Sequence, residues 1–102
     1  MNIKRFMESN LVVIKDEIIN NIPTSKFDSH EFIRYFTKRF EVEYVEFLSK
    51  FKQEPFRKVN SQIGKFLSEN KVLLEIIDDG VTKSPNIFGI ESQNEKWIKQ
   101  NN

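Results

Sequence analysis

The sequence predicts a mainly α domain closed by a small β-hairpin, with three or four helices ahead of two antiparallel strands. Three observations carry this. Apolar residues recur at three and four positions through 2–21, 28–51 and 55–69, the period of a helix buried on one side. The run Val72-Leu73-Leu74-Glu75-Ile76-Ile77 is rich in strand formers, and Asp78-Asp79-Gly80 follows with turn chemistry. Ten Phe and 38% apolar residues in a chain of 102 suffice for one core, so 1–102 is expected to form a single domain.

The N-terminal segment 1–22 reads as an amphipathic helix. Ile3, Phe6, Met7, Leu11, Ile14 and Ile18 share one side, while Lys4, Arg5, Glu8 and Lys15 fall elsewhere. Asn20-Asn21-Ile22-Pro23 stops it, because Pro pushes the preceding residue out of helical backbone. The next start is marked at Asp28. Its side chain can cap, Glu31 stands where it completes a capping box, and Phe27 and Phe32 flank the pair as a staple. From there Phe32, Ile33, Phe36, Phe40, Tyr44, Phe47, Leu48 and Phe51 keep helical spacing with no Gly or Pro until Pro55. The spacing fits one long helix or two, with 39–42 the weakest place for a bend because Val42 and Val45 are β-branched and Glu41, Glu43 and Glu46 crowd together.

Pro55 suits the first turn of a third helix, along which Phe56, Val59, Ile63, Phe66 and Leu67 gather on one side. Arg57, Lys58, Ser61, Lys65 and Ser68 occupy the other. Asn60 or Ser61 would also serve as a cap if the helix began later. The hairpin is expected as a strand over 72–77, a loop through Asp78-Asp79-Gly80 to Pro85, and a returning strand Asn86-Ile87-Phe88-Gly89-Ile90. Residues 91–102 form a tail whose Trp97 and Ile98 are positioned to cover an open core edge, with Lys99 to Asn102 fraying.

Composition removes several function classes. With no Cys and a single His, neither a disulfide framework nor a zinc site can be assembled, and no cofactor is expected. Glu75, Asp78 and Asp79 are explained by turn chemistry and lack the spacing of a calcium loop. There is no phosphate-cradling glycine pattern, nucleophile elbow or metalloprotease helix, so enzyme activity is not expected. His30, just past the cap, is expected to face solvent. The longest apolar run, Leu11 to Ile14, is far too short to cross a bilayer, and the first ten residues hold no apolar core of a leader. A cytoplasmic protein without a membrane partner is the expectation.

The order helix, helix, turn, helix, strand, loop, strand over 28–90, with VNSQIGKFL in the third helix, resembles the winged helix-turn-helix family. The text SPNIFGI is similar to the returning strand of the wing in small phage and mobile-element proteins. The resemblance implies a DNA-binding regulator. Lys58, Lys65 and Arg57 would meet phosphates, Asn60, Ser61 and Gln62 would reach base edges or backbone, Ser68 would complete the helix face, and Lys83 would serve the wing. Sixteen Lys and Arg against 15 Asp and Glu give a net charge of +1, so any attraction to a polyanion must come from local segregation. The DNA-binding reading includes a homodimer through the N-terminal helix; the alternative is a protein-interaction module on the same fold, a small inhibitor or adaptor whose acidic loop and Glu41/Glu43/Glu46 surface engage a basic partner.

Overall fold

A computed structural model describes residues 2–100 and places three strands against a helical layer. The N-terminal arm is α1 (Ile3–Ser9), α2 (Leu11–Val13), a π-helical turn (Ile14–Ile18) and a 3₁₀ turn (Ile19–Asn21). It is helical over 3–9 and 11–21, with Asn10 a turn between them, and so not one regular helix. Asn10, at φ −115° and ψ 25°, separates α1 from α2, and its side-chain amide donates to the Phe6 carbonyl at 2.8 Å alongside its own backbone amide at 3.1 Å. Ile3, Met7, Ile14, Ile18 and Ile19 are buried, as the spacing requires, and the arm ends where Ile22 turns extended before Pro23.

Strand β1 (Lys26–Asp28) and helix α3 (Ser29–Arg39) follow. The capping box forms as the sequence indicates. The Asp28 carboxylate accepts from the Glu31 amide at 2.9 Å, and Glu31 accepts from the Asp28 amide at 3.3 Å. Phe40, with φ −120° and ψ 53°, separates α3 from α4 (Glu41–Ser49), so 28–51 is two helices with the bend inside the weakest stretch. The bend lets Phe6 lie edge-on between Phe40, at 5.0 Å, and Phe47, at 5.4 Å. Helix α5 (Pro55–Glu69) begins at Pro55 rather than at Asn60 or Ser61, and it buries Val59, Ile63, Phe66 and Leu67. Phe56 does not join them: it stays 37% exposed.

The β region departs from the expected hairpin. The sheet has three antiparallel strands, not two, in the order β1-β3-β2, with β2 at Ile76–Pro85 and β3 at Glu91–Lys99. The fold is therefore mixed α/β rather than mainly α. Residues 71–75 are turn, with Val72 and Leu73 79% and 61% exposed, so only Ile76 and Ile77 of the expected first strand are strand. Asp78-Asp79-Gly80 is not the hairpin turn but a bulge within β2, where the register slips between Asp78 and Val81 and Gly80 takes φ +90°. The turn is instead the segment expected to be the returning strand. Asn86 Oδ1 accepts from the Phe88 and Ile90 amides, the Gly89 amide donates to the Asn86 carbonyl, and Gly89 sits at φ +79°.

The returning strand is the expected tail. β3 is central in the sheet, pairing Phe27 with Trp97 on one side and Asp78 with Trp97 on the other. Trp97 is fully buried and its indole N–H donates to Ser29 Oγ at 3.1 Å, so it belongs to the core rather than to a cover. Lys99 and Gln100 do not fray: their amides donate to the Ser25 and Glu75 carbonyls at 2.8 Å, and Lys99 Nζ donates to the Ile22 carbonyl. Burial lowers the Lys99 ammonium pKa. Asn101 and Asn102, also expected to fray, lie outside the described residues, as does Met1. No helix among the described residues is long and apolar enough to cross a membrane.

Candidate functional site

The capping box at Asp28 fixes the start of α3 beside β3, Pro55 fixes the start of α5, and the Asn86 turn brings the hairpin back past both. Between these elements lies an open groove of about 650 Å³. One wall is a stripe of α5 at helical spacing, Arg57, Asn60, Ser61, Gly64, Lys65 and Ser68. The hairpin supplies the other wall with Asn86 to Phe88 and Ser92 to Glu95, and Ser29, His30 and Ile33 close the base. Phe56 and Phe88 meet across the two walls edge to face, with centroids 4.9 Å apart and an interplanar angle of 82°.

Five of the eight residues singled out in the sequence, Arg57, Asn60, Ser61, Lys65 and Ser68, line this groove together. The other three do not. Lys58 is half-buried with its ammonium 5.7 Å from the Phe51 ring centroid, Gln62 lines a smaller hollow with Ile3, Phe47 and Phe51, and Lys83 stands on β2 opposite Gln93. Helical geometry explains the split, since 58 and 62 lie about 100° round the helix from 57 and 61. Asn60 is oriented by Tyr44, whose hydroxyl donates to Asn60 Oδ1 at 2.7 Å. Burial raises the Tyr44 phenol pKa, and this bond occupies the Asn60 side-chain oxygen.

His30 does not face solvent freely. Its backbone N–H donates to Asn94 Oδ1 at 2.9 Å, and its ring packs against the hairpin. His30 Nδ1 lies 3.0 Å from the Ser84 carbonyl oxygen and 3.1 Å from Ser84 Oγ, and Nε2 lies 3.4 Å from Ser92 Oγ. Asn94 Nδ2 donates to Ser84 Oγ at 3.1 Å, tying the same network to β2.

The charged side chains lining the groove are Arg57, Lys65 and Glu95. Arg57 forms a bidentate pair with Glu54 at 2.9 Å, and Lys65 lies 3.9 Å from Glu69; both pairs are exposed, and such pairs cost little to exchange for another anion. Glu95 is the carboxyl lining the groove, and burial, reinforced by neighbouring Asp78, pushes its pKa up from 4.5. Asp79 is not a free acidic tip, because Lys26 and Lys96 stand 3.9 and 4.0 Å from it. No group of three or more metal-ligating side chains occurs among the described residues.

Sequence reasoning missed His30, Phe88 and Ser92 to Glu95 as groove residues. The signal that would have found the last five is the Asn86-x-x-Gly89 turn, which moves the hairpin tip and sets 91–95 opposite 81–85. No protein-family model, curated protein or solved structure matches this chain.

Proposed function

We propose that this protein binds DNA in the groove between α5 and the β2–β3 hairpin, in the manner of a winged helix. One observation carries the reading: the polar stripe Arg57, Asn60, Ser61, Lys65 and Ser68 is turned toward an open groove rather than spread over a free helix surface. Arg57 and Lys65 are the phosphate contacts, and Asn60 and Ser61 offer hydrogen bonds to base edges or backbone. The passage from α5 through one turn into the hairpin supports the same reading.

Two cations predict a modest salt slope, about 1.8 log units for duplex at about 0.9 per neutralised phosphate. Fluorescence anisotropy across a salt series tests this. Arg57→Glu/Lys65→Glu should weaken binding and flatten the slope, while Lys83→Glu and Gln62→Ala should leave both close to wild type. Absence of binding at low salt would end the proposal.

A second reading, a protein-interaction module, draws on α4. There Val42 and Val45 are 68% and 59% exposed among Glu41, Glu43 and Glu46, an apolar and acidic face suited to a basic partner. Val42→Asp/Val45→Asp should leave nucleic-acid affinity unchanged, and any loss would place α4 in the DNA contact instead.

A further inference from the structure

We infer, resting on the DNA reading, that the groove takes an unpaired base of single-stranded DNA, stacked against the Phe56–Phe88 pair. Both rings are exposed, Phe56 at 37% and Phe88 at 58%. Their edge-to-face contact at 82° leaves ring face open to solvent, and a nucleobase stacks on such a face whatever its sequence.

Phe88 is also held ready. It sits in a turn fixed by three hydrogen bonds, from the Phe88 and Ile90 amides to Asn86 Oδ1 and from the Gly89 amide to the Asn86 carbonyl. A backbone already ordered at Phe88 loses little freedom on binding. The space fits the same occupant, since about 650 Å³ lies within the usual range of about 300–1,000 Å³ for small-molecule sites. Asn60, Ser61 and Gln93 bring both donors and acceptors to the groove, the mixture a base edge requires.

Charge separates single strand from duplex. A chain of net charge +1 with Arg57 and Lys65 as the groove's cations has few contacts for a phosphate-dense duplex. Stacking supplies affinity without further cations, and each stacked base is worth about tenfold in affinity. Gly64, flanked by Ser61 and Ser68 on the α5 wall, presents no large side chain, and a Cβ built on it meets nothing within 4 Å.

The test is anisotropy with a labelled thymidine oligonucleotide, the matching uridine oligonucleotide, a duplex of equal length, and an abasic strand carrying the same phosphates. The full chain should bind the thymidine strand more tightly than the duplex, and the abasic strand about tenfold more weakly. Phe88→Ala, whose exposed ring makes misfolding avoidable, should lose about tenfold on the thymidine strand and little on the duplex, while Phe88→Trp should retain binding. Tighter uridine than thymidine binding would assign the site to RNA and overturn the DNA assignment. Equal affinity for abasic and normal strands, or an unaltered Phe88→Ala, would overturn the stacking site. Duplex binding without single-strand binding would sink this inference and leave the DNA reading standing; binding of neither would sink both.

Discussion

Trp97→Phe removes the indole N–H that donates to Ser29 Oγ at 3.1 Å, and it empties part of a site with no solvent exposure. Two effects add. Truncating a buried Trp to Ala costs about 3–5 kcal/mol, so the smaller step to Phe should cost about 1–2 kcal/mol in lost contacts and cavity. Ser29 is itself buried, and leaving its hydroxyl without this partner costs about 1–3 kcal/mol more. A total near 3 kcal/mol, at about 4–8 °C for each, lowers the melting temperature by about 12–24 °C. A double-mutant cycle separates the terms. Adding Ser29→Ala to the Trp97→Phe variant removes the orphaned hydroxyl, so the double variant should be about 1 kcal/mol more stable than the two single effects sum to. Thermal and urea unfolding followed by circular dichroism provide the assay. A loss under about 1 kcal/mol for Trp97→Phe, with no coupling to Ser29, would mean that Trp97 merely covers the core edge and that β3 is not central.

Three further outcomes follow from named contacts. Truncation after Ile90 deletes β3, the strand between β1 and β2, and should abolish the cooperative unfolding transition; a sharp transition in the truncated chain would refute the sheet order. Glu95→Gln should stabilise the protein at neutral pH and tighten oligonucleotide binding. The Glu95 pKa is raised above 4.5, chiefly by burial and then by Asp78, so the stability it contributes is full below 4.5 and is lost as pH rises through the higher folded value. Gln mimics the protonated form, so the gain in melting temperature over wild type should vanish in acid, and a gain constant with pH would reject the cause. Glu75 holds left-handed backbone at φ 56° and pairs with Lys15, so Glu75→Gly made in a Lys15→Ala background should stabilise by about 0.5 kcal/mol, the left-handed strain relieved less the added unfolded-state freedom. Unchanged or lower stability there would show that the backbone at 75 is not strained.

The helical layer was legible because its signals are local. Asp28 with Glu31, the spacing from Phe32 to Phe47, and Pro55 at the head of α5 each act within one or two helical turns. The hairpin was not legible, for a physical reason. β3 reads Glu-Ser-Gln-Asn-Glu-Lys-Trp-Ile-Lys, and most of its side chains remain accessible, so neither alternation nor strand-forming residues mark it. Its place is set by pairing to β2 partners 6 to 23 residues away and β1 partners 68 to 72 residues away, which its own residues do not encode. Conversely, Val72 and Leu73 carry strong strand propensity yet sit in an exposed turn, because the polypeptide leaving α5 must reverse before Ile76 can enter the core. The groove was half visible for the same reason: the α5 wall followed from helical period, whereas the wall from Phe88 to Glu95 depended on where the hairpin turns.

Amide chemical-shift mapping during titration with a single-stranded thymidine oligonucleotide tests the central claim most directly. Shifts should concentrate on Arg57, Ser61, Lys65, Phe88 and Ser92 to Glu95, residues drawn from both walls, while the α4 residues Val42 and Val45 stay still. Shifts confined to α4 or to the N-terminal arm, or none at saturating oligonucleotide, would contradict it.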